Sequence, residues 1–343
     1  MKNIYNLTIS ELRAYLAESG FKAFIAKQVF DWVYKKGIED FSLMSNLSKD
    51  TQNFLKSNLS FSKLVLVDKA ISKDGTKKYL FRLSDKALIE TVFIPQKSRA
   101  TICLSTQVGC KFKCSFCASG ADGLMRNLEI SEIIGQYLYV LDDLGIKITN
   151  IVFMGIGEPL DNFDNLIKSI DIFKDKTGIG LGKRKISIST SGLAPQIEKL
   201  AKLKLGVKLS VSLHSADDRV RSKLMPVNKK WPLRELKKAL NFFVDLEGYP
   251  ISFEYLVLAG VNIKKEDAAK LANFLKGLKA KVNLIPYNRC VNKSFALREK
   301  DLFDFERELE RRKVFFSLRK SRGQDIDAAC GQLRAAFASK TSK

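Results

Sequence analysis

The sequence predicts an α/β protein: a partial (β/α)6 barrel preceded by a helical N-terminal domain and a small β-hairpin region. Three observations predict it. From about residue 100, short apolar runs alternate six times with longer amphipathic stretches. Repeated β-then-α units argue for a parallel sheet with helices outside it. Residues 1 to about 58 carry apolar residues at helical spacing instead. Between about 62 and 95 the pattern shortens to β-like runs around a KDG turn, which reads as antiparallel hairpins.

The elements follow in order. ISELRAYLAESG ends on Gly20, AKQVFDWVYKKG ends on Gly37, and LSKDTQNFLKSN supplies a third helix. KLVLVDKAI, KKYLFRLS and ALIETVFIP are the hairpin strands, closed by Pro95. The barrel strands are ATICLST, NIVFMG, KISIST, VKLSVSLH, ISFEYLVL and VNLIPY. The intervening stretches, from ISEIIGQYLYVLDDLG to EKDLFDFERELERRK, are helical, and VFFSLRK is a last short strand. The expected divisions are an accessory domain over 1–60, a hairpin connector over 61–96, the barrel over 97–320 and a C-terminal loop and tail over 321–343. In a β/α barrel the chemistry sits on the loops that follow the strands.

The 343 residues carry a net charge of +22. Residues 1–95 hold 15 Lys and Arg against 10 Asp and Glu, so most of the excess lies in the barrel. Such a charge points to a polyanionic partner, nucleic acid first, with a merely solubilising surface as the alternative. GIGLGKRK lacks the spacing of a phosphate loop and reads as an αβ turn, with Lys183 and Arg184 as candidate RNA contacts. No signal-peptide core and no membrane-length apolar run occurs, so a cytoplasmic protein is expected. The one histidine, His214, excludes His-rich metal sites and any Ser-His-Asp triad built elsewhere.

GCKFKCSFCASG places Cys110, Cys114 and Cys117 as C-x3-C-x2-C on the first βα loop of the barrel. In a reducing compartment such clustering favours a metal over disulfides. A structural zinc prefers four ligands, usually in two close pairs. Three thiols fit an iron–sulfur cluster better, with one iron left open for a substrate. Further polar groups close the next strands: Gly157 and Glu158 in MGIGEPL, Ser189 in STSG, Ser212 and His214 in SLH, and Asn288 in NLIPYN. Singly each reads as an ordinary strand end; together they form a site-like set on one face. Cys330, in IDAACGQLRA, reads alone as a small buried hydrophobe. So does Cys103 among its apolar neighbours, and Glu90 reads as a solvent-facing strand residue.

The triplet resembles the signature of the radical S-adenosylmethionine (SAM) superfamily. With ALIETVFIP, TICLSTQVGCKFKCSFCASG, LMRNL, MGIGEPL, KRKISISTSG, SLH, NLIPYN and RKSRGQDIDAACGQL in this order, nearly the whole chain resembles the RNA adenine-C2 methyltransferase family, RlmN. It departs only slightly, with Ile156 where Met is expected and Gln324 where Asp is expected. The resemblance implies a TIM-like radical SAM barrel. It implies that Cys110, Cys114 and Cys117 hold a [4Fe–4S] cluster. It assigns SAM binding to Gly157, Glu158, Ser189, Ser212, Leu213, His214 and Asn288, partly through backbone. It makes Cys330 the methyl carrier, Cys103 its resolving partner and Glu90 the proton acceptor.

In the family mechanism one SAM methylates the carrier cysteine, and a second yields the 5′-deoxyadenosyl radical that activates that methyl group. Two SAM are therefore consumed per turnover. The implied partners are 23S rRNA at the peptidyl-transferase centre, tRNA beside the anticodon and an external, flavodoxin-like electron donor; a monomer is expected. The small residues around Cys330 suggest a mobile loop. The sister activity, methylation at adenine C8 by the Cfr-type enzymes, uses the same cysteines. A non-catalytic Fe–S RNA-binding protein would explain the charge and the triplet but not the other motifs. Cys290 matches no role and is left as structural.

Overall fold

The computed structural model describes residues 1–61, 63–288 and 299–334; Cys290 lies outside them. The N-terminal part holds helices α1 (Ile9–Glu18), α2 (Ile25–Phe30), which runs on into a π-turn, and α3 (Lys49–Asn58). Thr8 starts α1 with a reciprocal cap: its hydroxyl accepts from the Glu11 N–H, and the Glu11 carboxylate accepts from the Thr8 N–H. A two-residue parallel pairing of Lys2–Asn3 with Leu59–Ser60 closes this part on itself. It is fastened to the rest by Asn6, whose amide accepts from the Ser131 N–H at 2.7 Å and donates to Glu129 at 3.1 Å.

Ten strands form one sheet, in which chain order is also spatial order. β1 (Val65–Ile71), β2 (Lys77–Arg82) and β3 (Leu88–Gln96) are antiparallel, and β3 pairs antiparallel with β4 (Arg99–Cys103). The hairpin strands therefore extend the barrel sheet. β3 is buried along most of its length, so it needs a neighbour on both edges. From β4 onward every pairing is parallel, through β5 (Asn150–Phe153), β6 (Ile186–Thr190), β7 (Lys208–Ser212), β8 (Ile251–Val257), β9 (Ala280–Pro286) and the short β10 (Phe316–Leu318).

Helices α4 (Ile130–Leu144), α5 (Phe163–Lys174), α6 (Ala194–Lys202), α8 (Leu233–Glu247), α9 (Lys265–Leu275) and α10 (Glu299–Arg311) complete six β/α steps. Gly145 and Gly248 stop α4 and α8 in the left-handed conformation, which glycine adopts without strain. An additional short helix, α7 (Asp218–Leu224), follows β7. The core lies between sheet and helices, with Ile102, Phe153, Ile188, Val211, Phe253 and Leu284 fully buried. Each such side chain contributes about 1.5–3 kcal/mol by leaving water. Among the described residues no helix is long and apolar enough to cross a membrane.

The last described segment, Gly323–Arg334, lies back across the sheet. Ser72 Oγ donates to Asp325 at 2.6 Å, the Gly323 N–H to Asp74 at 3.1 Å and Lys78 Nζ to the Asp327 carbonyl at 3.3 Å. At its other end the Ala118 N–H donates to the Gly331 carbonyl at 2.8 Å, and Ser119 Oγ to that of Leu333 at 2.7 Å. The expected loop is thus moored at both ends, and Ala328 and Ala329 are buried.

Candidate active site

A loop that follows β4 carries the three clustered thiols. Its base is pinched by an antiparallel pairing of Gln107–Gly109 with Leu124–Asn127, and the Cys110 N–H donates to the Gly123 carbonyl at 2.8 Å. Gly109 has φ +75°, and a Cβ there would lie 2.0 Å from the Gly123 oxygen. Only glycine closes this loop. Inside it the Cys117 N–H donates to the Cys114 carbonyl at 3.1 Å, which turns the chain tightly between the two thiols.

Cys110, Cys114 and Cys117 line a cavity of about 160 Å³ at the C-terminal edge of the parallel strands. Burial pushes the Cys110 thiol up to about 12 and also raises Cys114 and Cys117; Cys117 opposes the ionisation of Cys110, both oppose that of Cys114, and Cys330 opposes that of Cys117. Thiols so placed are protonated unless a cation takes the protons' place, which is what a thiolate-bound metal does. Among the described residues no three His, Cys, Asp or Glu side chains converge on one point, as a mononuclear metal requires. Three thiols spread along one wall suit a cluster that takes each on a different iron. The donor set, three thiols where a structural zinc takes four ligands, fits [4Fe–4S].

The same cavity gathers Gly157, Glu158, Ser189, Ser212, His214 and Cys330. Gly157 has φ +104° and sits where a Cβ would come 2.6 Å from Gln107 Cβ, so the backbone itself forms the wall. Glu158 is buried, and burial raises its carboxyl; the N–H groups of Ser191 at 2.7 Å and Leu160 at 3.1 Å donate to it and fix its plane. His214 has φ +56° and accepts the Leu256 N–H at Nδ1, 2.9 Å away. Burial drives its pKa down to about 3. It is a neutral imidazole whose Nε2–H can only donate. Leu213 turns its side chain into the core; its N–H donates to the Glu254 carbonyl and its own carbonyl accepts from Arg221.

Asn288 faces elsewhere. It lines a second, smaller cavity of about 30 Å³ with Cys103, Cys330 and Arg319. Its amide donates to the Cys330 carbonyl at 3.3 Å and accepts from Gln324 at 2.6 Å. Cys103 ends β4, and burial, then Cys330, raises its thiol to about 12. Among the described cysteines both it and Cys330 are free thiols. Cys330 lines both cavities. Glu90, on β3, is buried 3.1 Å from Lys78 Nζ, not solvent-facing; burial raises its carboxyl and Lys78 opposes the rise. Lys183 and Arg184 lie before β6, at the opposite end of the strands, where Arg184 stacks 3.7 Å from the Tyr249 ring.

Three further residues shape the site. Arg319 lines both cavities and faces Cys330 and Glu254, each of which favours its cationic form. Glu254, on β8, is buried with Oε2 accepting no hydrogen bond. Arg221, on α7, is fully buried. Arg319 opens the quoted RKSRG stretch and could have been singled out there. The other two stand in ordinary strand and helix sequence, with no signal to find them.

Comparison with known proteins accounts for this arrangement. Residues 104–272 match the Radical SAM superfamily, and residues 2–60 match the ribosomal RNA large subunit methyltransferase N-terminal domain. The chain is 42% identical over 338 residues to the probable dual-specificity RNA methyltransferase RlmN of Staphylococcus aureus strain JH9, covering 97% of this chain and 93% of that one. The counterpart from strain Newman matches to the same extent. A crystal structure of a radical SAM methyltransferase from Sphaerobacter thermophilus superposes with a TM-score of 0.92 at 40% identity, over 98% of this chain and all of that one. With its loop of three thiols, its polar strand ends and these relatives, the chain belongs to the RlmN family of radical SAM RNA methyltransferases.

Proposed function

We propose that this enzyme methylates C2 of adenosine in 23S rRNA and in tRNA through an S-methylcysteine formed at Cys330. One observation carries the reading: Cys330 stands on the wall between a cavity lined by three thiols and a second cavity holding Cys103. In this reading Cys110, Cys114 and Cys117 hold the cluster and Gly157, Glu158, Ser189, Ser212 and His214 bind SAM, with Leu213 in the core behind them and Asn288 reaching the site through the Cys330 backbone. When bound, cluster and SAM supply both a methyl group and one-electron chemistry, which adenine C2 needs because it is electron-poor and does not attack a methyl electrophile.

The chain's own residues do the rest. The Cys330 sulfur gives up its proton, accepts a methyl group and presents it toward the RNA base. Once that carbon is joined to C2, RNA is tethered to Cys330. The buried Glu90 carboxylate, its proton affinity raised, accepts the C2 proton. Cys103, on losing its proton, then attacks the Cys330 sulfur; a disulfide forms, the carbon–sulfur bond breaks with its electron pair passing to the carbon, which takes up a proton, and the methylated base leaves. Two SAM are used per turnover, and a reductant must restore the thiols, which suits a monomer in the cytoplasm served by a flavodoxin-like electron donor. The +22 charge supports RNA as partner.

Replacing Cys103 with Ala tests the reading. With SAM, reductant and RNA, Cys103→Ala should accumulate a covalent RNA–protein adduct through Cys330, seen on denaturing gels and by peptide mass spectrometry. Free methylated RNA at normal yield would refute the resolving role. Nucleoside mass spectrometry of the wild-type product should give 2-methyladenosine; 8-methyladenosine would replace the C2 assignment with C8.

A further inference from the structure

Arg221 is the largest fully buried side chain among the described residues, at 0% exposure. A buried cation is expensive unless an anion offsets it. Yet every hydrogen bond described for Arg221 goes to a neutral oxygen. Nε donates to the Leu213 carbonyl at 3.2 Å, and Nη1 to Asn228 Oδ1 at 2.7 Å. Nη2 donates to the carbonyls of Ser191 at 2.6 Å and Ser212 at 3.1 Å. The carboxylate of Asp218 is reached only through Asn228, whose amide donates to it at 2.8 Å. The surrounding backbone is shaped to admit the guanidinium: Gly192 has φ +108°, and a Cβ there would come 3.1 Å from Nη2.

The missing anion has a direction. The C-terminal end of α7 touches the thiol loop, because the Ser115 N–H, between Cys114 and Cys117, donates to the Leu224 carbonyl at 2.8 Å. The two Nη2 partners, Ser191 and Ser212, themselves line the cavity that Cys110, Cys114 and Cys117 line. Burial lowers Arg221 only to about 10, so it remains a cation at neutral pH.

We propose that Arg221 is the buried counter-cation of the iron–sulfur cluster, offsetting the thiolate charge and holding the reduction potential up. The inference rests on Cys110, Cys114 and Cys117 being the cluster ligands. Three thiolates outweigh the charge of an oxidised [4Fe–4S] core, and reduction adds one more negative charge. A fixed cation in a low-dielectric setting therefore favours the reduced form more than the oxidised one. The same guanidinium binds the backbone of the β6 and β7 ends, so the charge is held rigidly beside the cavity.

The experiment compares anaerobically reconstituted full-length wild type, Arg221→Lys and Arg221→Gln. Iron and sulfide content report loading, and EPR-monitored redox titration reports the potential. Arg221→Gln should show at least a tenfold lower reduced-to-oxidised ratio at a fixed potential, a fall of about 59 mV or more for a one-electron couple. Arg221→Lys, which keeps the charge and loses the fork, should stay near wild type. An unchanged potential in fully loaded Arg221→Gln would overturn the proposal, and so would an equal drop in both variants.

If Arg221→Gln holds no cluster, thermal unfolding of the metal-free proteins decides. Loss of a stranded charge leaves the variant at least as stable as metal-free wild type, whereas loss of a packing residue lowers its Tm. Undiminished cluster content in a Cys110/Cys114/Cys117 triple-Ala protein would instead sink the ligand reading itself.

Discussion

The two halves of the sheet serve the site in different ways. The parallel half, β4 to β10, presents short polar groups directly from adjacent strand ends. Two of them are fixed by a bond from a neighbouring strand or loop: His214 by the Leu256 N–H and Glu158 by the Ser191 N–H. The antiparallel half, β1 to β3, puts no residue on the larger cavity. It acts at one remove: the β1–β2 turn moors the segment that carries Cys330, and β2 and β3 supply the Lys78–Glu90 pair beneath it. In the proposed reading, cleavage of SAM and delivery of the methyl group would thus rest on separate supports that meet at Cys330.

This division can be broken deliberately. The largest effect is expected at the loop that only glycine closes. Gly109→Ala adds about 1–3 kcal/mol of backbone strain before its collision with Gly123 is counted. Iron content, SAM cleavage and RNA methylation should fall together. Asp325→Ala probes the other half by cutting two bonds to the β1–β2 turn, from Ser72 Oγ and the Lys73 N–H. RNA methylation should drop about tenfold, the size expected when a group that orients a reacting residue is lost, while reductive SAM cleavage stays within about twofold. Equal losses in both assays would erase the division.

Smaller effects sharpen the contrast through pH. The folded pKa of His214, about 3, lies below its ordinary 6.5. The unfolded chain therefore binds the proton more tightly. Its contribution to stability is complete above about pH 6.5 and is lost as pH falls toward 3, at up to about 1.4 kcal/mol per unit. His214→Gln should lack that slope in denaturant titrations. Glu90 has the opposite sign, because its folded pKa is raised. Wild-type stability should fall as pH rises from the ordinary carboxylate value through the folded one. Glu90→Gln should remove the fall, leaving neutral-pH stability equal or higher while methylation drops.

Much of this was legible in the sequence, for local reasons. The six barrel strands and their helices follow from periodicity, and the cluster loop follows from three thiols in eight residues. Contacts set by distant segments were not legible. Arg221 sits in DDRVRSKL, a short charged run that reads as a solvated helix face, and only the fold reveals that it is fully buried. Glu90 reads as solvent-facing until β2 beside it and the Arg334 backbone of the C-terminal segment bury it. Asn288 closes the sixth strand as its neighbours close theirs, yet the returning segment draws it to the Cys103 side.

The order of the sheet has a consequence for synthesis. Each strand lies beside its predecessor in the chain, so the sheet can be laid down one neighbour at a time as the polypeptide leaves the ribosome. Cys330 follows in the chain the strand ends whose cavity it lines, so that pocket's other walls are made before it. In the proposed reading, a chain ended before Cys330 would carry the pocket proposed to bind SAM without the thiol proposed to receive its methyl group.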